Sequence, residues 1–173
     1  MENDFLPKDY KRPDTSDFMK FKDGENVFRV LTPAITGFEY WNKDSKPVRS
    51  REPFDGIPED IKRNADGTPD PIKHFWAFGV WNYQANRVQV LEITQASIQD
   101  AVKALWDNPK WGSPVKYDIS VTREGSGFDT TYTVMPNPHS ELEPYIAEAF
   151  RAKKPNLEAL YDGEYPFSNE KEK

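Results

Sequence analysis

Residues 73–83, Lys-His-Phe-Trp-Ala-Phe-Gly-Val-Trp-Asn-Tyr, constrain the fold more than any other stretch of the chain. Five of the eleven positions carry large rings: Phe75, Trp76, Phe78, Trp81 and Tyr83. The run is too short and too polar to cross a bilayer. Rings and branched residues favour a pleated surface, so the segment reads as a β-strand. Alternate side chains of a strand face opposite ways. One face then carries Phe75, Ala77, Gly79, Trp81 and Tyr83, and the other His74, Trp76, Phe78, Val80 and Asn82. One face can fill a core. The other needs a second core, a protein partner, or a flat ligand that stacks.

The flanking sequence gives this strand neighbours. Gln84-Ala85-Asn86 reads as a tight turn, and 87–93 (RVQVLEI) as a return strand, so 72–93 is a hairpin. Asp23-Gly24 is a turn signal ahead of a strand at 26–31. A second extended stretch, 35–42, continues through 47–51. Behind Thr94 as N-cap, Ile98, Ala101, Val102, Leu105 and Trp106 form one helical stripe that Asn108-Pro109 ends. Residues 115–121 alternate cleanly, Glu124-Gly125-Ser126-Gly127 turns, and 130–135 returns. Asn137-Pro138 is expected to break the sheet. Residues 140–154 carry Leu142, Tyr145, Ile146, Ala149 and Phe150 at helical spacing, with Ser140 and Glu143 as a capping box.

Strand, strand, strand, helix, strand, strand is the chain order of an OB-fold, a five-stranded Greek-key barrel with a helix between strands three and four. The expectation is a mainly β chain: an N-terminal arm (1–25), an OB domain (26–136), and a C-terminal helix with a mildly acidic tail (137–173). The ligand face of such a barrel lies on strands two and three and on two loops. Here those are the aromatic hairpin, the loop 52–71, and a turn near 123–129. The loop holds Pro53, Gly56, Pro58, Gly67, Pro69 and Pro71. Loops that long inside a domain are usually functional or disordered.

Composition limits the chemistry. Aromatics reach 14% while all hydrophobic residues make only 36% of the 173, so the core is built from fewer, larger side chains. There is no cysteine, which excludes disulfides, thiolate catalysis, iron–sulfur clusters and cysteine-held zinc. Two histidines, His74 and His139, argue against a histidine-rich metal site, and no cofactor is expected. No basic-then-apolar leader and no long apolar run is present, so the expected place is an intracellular, reducing compartment, with no membrane partner.

Charge is uneven. Lys43, Lys46, Arg49 and Arg51 stand against Asp44 alone, a local +3 in a chain of net charge -6. Tyr40 and Trp41 adjoin them. Cations that track phosphates beside rings that stack bases are what single-stranded nucleic acid needs. Lys73, Arg87, Lys116 and Arg123 could extend the groove, and Trp76, Trp81 and Tyr83 the stacking platform. Taken alone, four basic residues beside a loop are ordinary edge protection, and Phe75, Phe78 and Trp106 are ordinary core.

Enzyme readings carry less. Glu59-Asp60 and Asp66 with Asp70 match no calcium loop, and Gly125-Ser126-Gly127 lacks the lysine and helix of a phosphate cradle. A metal-dependent nuclease using Asp66 and Asp70 stays an alternative, as does a protein-interaction module whose exposed rings meet a partner or a second copy. The oligomeric state is left open by the residues.

The segments 21–31 (FKDGENVFRVL), 37–41 (GFEYW), 46–49 (KPVR), 73–83, 88–102 (VQVLEITQASIQDAV) and 117–136 together resemble the phage-encoded single-stranded DNA-binding proteins of replication modules. The resemblance covers roughly residues 20–136. It implies an OB-fold, sequence-independent binding of single-stranded DNA, a role in replication, recombination and repair in the host cytoplasm, and no enzymatic activity. It also implies an acidic C-terminal region that recruits replication or recombination proteins or regulates binding. The zinc of some relatives is not carried over, since its cysteines are missing. The C-terminus here alternates Glu and Lys, with Tyr165-Pro166-Phe167 as an apolar anchor.

Overall fold

Alternating apolar strands punctuated by Gly, Pro and Asn build a sheet, and the sheet organises everything else. The computed structural model describes residues 5–167. Its strands are β1 (Phe18–Met19), β2 (Gly24–Val30), β3 (Ile35–Trp41), β4 (Pro47–Ser50), β5 (Lys73–Asn82), β6 (Arg87–Ile93), β7 (Tyr117–Glu124) and β8 (Thr131–His139). Helix α1 (Ala96–Asp107) lies between β6 and β7, and α2 (Pro144–Ala152) follows β8. A 3-10 helix, Leu157–Asp162, comes next. The protein is thus mainly β. Its eight strands form one mixed sheet in the order β1-β6-β5-β2-β7-β8, with β3 pairing β5 and β4. The sheet does not close: one side of the path ends at β1 and the other at β8.

β5 is the hub. Its C-terminal half pairs antiparallel with β2 (Phe28 opposite Asn82, Val30 opposite Val80), and its N-terminal half with β3 (Thr36 opposite Trp76, Glu39 opposite Lys73). Its other edge pairs with β6 along its length, from Trp76 opposite Ile93 to Asn82 opposite Arg87. β2 continues the sheet to β7, with Gly24 opposite Arg123. β1 is the single parallel pairing, Phe18 opposite Val90 and Met19 opposite Leu91.

The two faces of β5 fill two cores. Phe78 and Val80 point into a first core with Phe28, Val30, Leu91, Ile93, Tyr117, Ile119 and Val121. Ile98 and Val102, the apolar stripe of α1, cover it. Phe75, Ala77 and Trp81 point the other way, into a second core with Val88, Val90, Ile146, Leu157, Leu160 and Phe167. The chain's own C-terminal segment therefore covers the opposite face of the sheet. Close packing there leaves no room at Gly79, where a Cβ would stand 3.0 Å from Pro155 and from Thr32.

Several boundaries differ from expectation for local reasons. β8 runs through Pro136 and Pro138 to His139, opposite Tyr117. An edge strand needs no outward N–H, so proline is tolerated there. α2 starts at Pro144, with Glu143 as an N-cap that accepts no side-chain bond. The capping box does not form, because Ser140 is engaged with Arg29, whose Nη2 donates to its Oγ at 2.7 Å and to its carbonyl at 3.0 Å. α1 is capped at Gln95 rather than Thr94. The turn at 84–86 forms as read, with Asn86 at φ 53.

Candidate nucleic-acid interface

The β3–β4 connection is a tight turn over residues 42–46. Asn42 Oδ1 accepts from the amides of Asp44 (2.9 Å) and Lys46 (3.0 Å). Such Asx bonds replace the sheet ladder where the chain reverses. Ser45 takes the left-handed conformation, φ 59, that closes the turn. The turn leaves Lys43 and Lys46 exposed, and Trp41 42% exposed beside them.

The segment 52–71 is not an open loop. Residues 60–62 are tied to the end of β3 and its turn, and 63–69 close into a small turn of their own. Ile61 bridges Asn42, the Lys43 amide donates to the Asp60 carbonyl at 2.8 Å, and the Lys62 amide donates to the Trp41 carbonyl at 2.8 Å. Farther out, Arg63 bridges Pro69, and the Asn64 amide donates to the Thr68 carbonyl at 2.8 Å. Ile61 is 1% exposed and pins the segment down. Tyr40 lies beneath it, its hydroxyl donating to Asp60 Oδ1 at 2.7 Å and Phe54 edge-on at 4.9 Å. Burial, then the Asp60 carboxylate, push the Tyr40 phenol above its usual range. Lys62 Nζ reaches Ser45 Oγ at 3.3 Å, so Lys62 joins Lys43 and Lys46 around the turn. Lys73 is exposed at the start of β5, opposite Glu39 in β3. The β3–β4 turn and residues 60–70 together form an arm distinct from the N-terminal one.

The remaining sequence-predicted residues are placed differently. Arg49 is a structural cation: its Nε meets Glu92 at 2.7 Å and Glu39 at 3.2 Å, and it is 10% exposed. Glu39, buried beside Glu92, has its carboxyl pushed up to about 8, by burial first and by Glu92 second, against the pull of Arg49. Arg51 pairs with Glu158 and lies over the Tyr161 ring at 4.3 Å, which ties β4 to the C-terminal segment. Arg87 pairs with Asp17 at 2.9 Å. Trp81 is 4% exposed with Tyr145 edge-on at 5.8 Å, so neither of its faces is open to a base. Trp76 is half-buried against the first core. The half-buried Tyr83 donates to Asp118 Oδ1 at 2.9 Å, and burial with that carboxylate push its phenol up to about 12. Lys116 and Arg123 flank and end β7, which pairs with β2 and β8 and not with the arm, and Arg123 is bound to Asp23 at 2.8 Å.

The structure thus brings together Trp41, Lys43 and Lys46, and adds Lys62. Lys73 stands lower on the same pair of strands, opposite Glu39, and Arg63 donates to the Gly67 carbonyl at 2.9 Å in the outer turn. In the sequence Lys62 stands in a segment that reads as a polar loop, which hides it. The one signal was Ile61, a lone apolar residue followed directly by two cations. Among the described residues no cluster of three or more His, Asp or Glu is arranged to hold a metal. Asp66 instead serves its own turn, accepting from the Thr68 amide at 3.0 Å, which holds its carboxyl below the usual range.

What this geometry defines is a mainly β protein with a cationic, tryptophan-bearing arm. The chain is similar to a protein of Escherichia phage T5 named "Probable ssDNA-binding protein", 26% identical over 143 residues. The match covers 70% of this chain and 55% of the relative, so the chain spans about half the length of the curated protein it matches. No family model matches the chain. No solved structure matches it either. Among the described residues no helix is long and apolar enough to cross a membrane.

Proposed function

We propose that this protein binds single-stranded DNA without sequence preference, as a non-enzymatic accessory of phage DNA replication, recombination and repair. The observation that carries the reading is the arm: Trp41 exposed between Lys43, Lys46 and Lys62 on a turn held rigid by its own hydrogen bonds. A ring with an open face stacks any base, and cations around it meet the phosphates. The similarity to the phage T5 protein supports the same ligand. The path β2, β5, β6, α1, β7, β8 follows the OB chain order, with β3 prolonging the first strand, and we read the domain as an OB variant on that ground.

On this reading the DNA contacts are Trp41, Lys43, Lys46, Lys62, Arg63 and Lys73. Tyr40, Arg49, Arg51, Trp81, Tyr83 and Arg87 support the body instead. Recruitment of replication or recombination proteins through the C-terminal region falls to Tyr165 and to residues past 167, because Phe167 is in the second core. The terminal Glu170-Lys171-Glu172-Lys173 lies outside the described residues. The test is tryptophan fluorescence titrated with oligo-dT over a salt series. Quenching that weakens with salt and is lost in Trp41→Phe is expected; no binding at low salt overturns the reading.

A further inference from the structure

The N-terminal segment sorts its charges. Asp17 is turned into the body, Asp14 caps its own turn, and Asp9 is exposed. Asp17 accepts from Arg87 at 2.9 Å and from Lys153, and Asp14 Oδ1 accepts from the Ser16 amide at 2.9 Å. The backbone there is also anchored: the Asp14 carbonyl accepts from Arg87 at 3.2 Å, the Ser16 carbonyl from Gln89 at 2.8 Å, and the Asp17 carbonyl from the Val90 amide at 2.9 Å. Before that anchor, residues 5–12 are all exposed. They read Phe-Leu-Pro-Lys-Asp-Tyr-Lys-Arg. Lys8, Lys11 and Arg12 stand against Asp9, and among the described residues none of the three is in an ion pair.

The rings behave like the cations. Phe5 is 95% exposed and Tyr10 51%, so among the described residues the first ring is uncovered and the second is half open. Pro7 and Pro13 bias the backbone to extended forms and against a helix. The Tyr10 amide donates to the Pro7 carbonyl at 3.0 Å, so Lys8 and Asp9 form a turn. A short segment that carries exposed cations and rings together can meet phosphates and stack bases. An amphipathic membrane helix would need the periodicity that these prolines prevent.

We propose that residues 5–12 are a second single-stranded DNA contact, an arm anchored at the β6 edge that wraps strand already held by the body. This rests on the single-stranded DNA reading above. Lys8, Lys11 and Arg12 supply the phosphate contacts, and Phe5 and Tyr10 the stacking.

The test compares the full chain with K8A/K11A/R12A and, separately, Tyr10→Ala, binding oligo-dT across a salt series. These side chains leave the body untouched, so melting is expected to be unchanged. Each lost phosphate contact removes a salt slope of about 0.7, so the triple variant should bind with a log–log slope shallower by about 2. Tyr10→Ala should weaken binding about 5-fold or more, the effect of losing one stacked base. If the unaltered chain does not bind oligo-dT, the function reading itself falls. If it binds and the triple variant keeps the full slope, the arm proposal alone is overturned. A variant that keeps the slope but loses a self-association seen in the unaltered chain assigns the segment to a second copy, which also overturns it.

Discussion

Trp41 and Arg29 show how the same sheet makes an open contact and a closed one. Trp41 ends β3 where the turn begins, so its ring has no strand partner beyond Pro47 and stays half in water. Trp41→Ala is expected to leave melting unchanged and to lower oligo-dT affinity by about 1–3 kcal/mol, read by anisotropy with a labelled oligonucleotide. Arg29 is 2% exposed, and its Nε donates to Asp118 Oδ1 at 2.8 Å. Replacing one partner of a buried pair strands the other charge. Arg29→Ala should therefore cost about 3–5 kcal/mol in denaturant unfolding. Glu39 supplies a pH signature. Its carboxyl titrates near 4.5 when unfolded and near about 8 when folded, so the folded state holds the proton more tightly. Its stabilising effect is complete below about pH 4.5 and is lost as pH rises towards about 8. Glu39→Gln should flatten that part of the stability–pH curve measured by urea unfolding; an unchanged slope would contradict the assignment.

The arm is a structural element, not a lid. The Lys43 and Lys62 amides, donating to the Asp60 and Trp41 carbonyls, and the buried Ile61 hold 60–62 against the end of β3, while the Asp70 amide donates to the Lys62 carbonyl and closes 62–70 on itself. A closing flap would need this contact to be transient. Amide exchange at Lys43 and Lys62 is therefore expected to be slow, at protection approaching that of the β3–β5 ladder, while residues 5–12 exchange freely. Ile61→Ala should cost about 2–5 kcal/mol locally and release that protection. The hairpin β5–β6, the Ile98–Val102–Leu105 part of the α1 stripe and the alternation of β7 were legible because each is a local period in one apolar face; Trp106, read as core, is instead 62% exposed at the end of α1. The arm was not. Its proline and glycine spacing is that of a loop, and its strand-like pairing depends on Asn42 and Trp41, about 20 residues upstream.

The molecule is one sheet between two cores, and the C-terminal segment belongs to the second. Ile146, Leu157, Leu160 and Phe167 are buried against Phe75, Trp81 and Val90. Each such side chain contributes about 1.5–3 kcal/mol by leaving water. A chain ending at His139 should expose that face, bind a hydrophobic dye and aggregate on purification; a soluble, cooperatively melting product would contradict the two-core account. The candidate site was legible only in part for the same reason. Of the rings and cations read as ligand contacts, Trp81, Arg49 and Arg51 are taken up by partners distant in sequence: Tyr145, Glu92 and Glu158. Composition and spacing do determine that residues 73–83 form a strand with two apolar faces, since alternation is a property of the backbone. Which covering each face receives depends on what the rest of the chain brings to it. That pairing is long-range, and only the tertiary structure decides it: α1 closes one face, α2 and Phe167 the other, while Trp41 is left half in water at the end of β3.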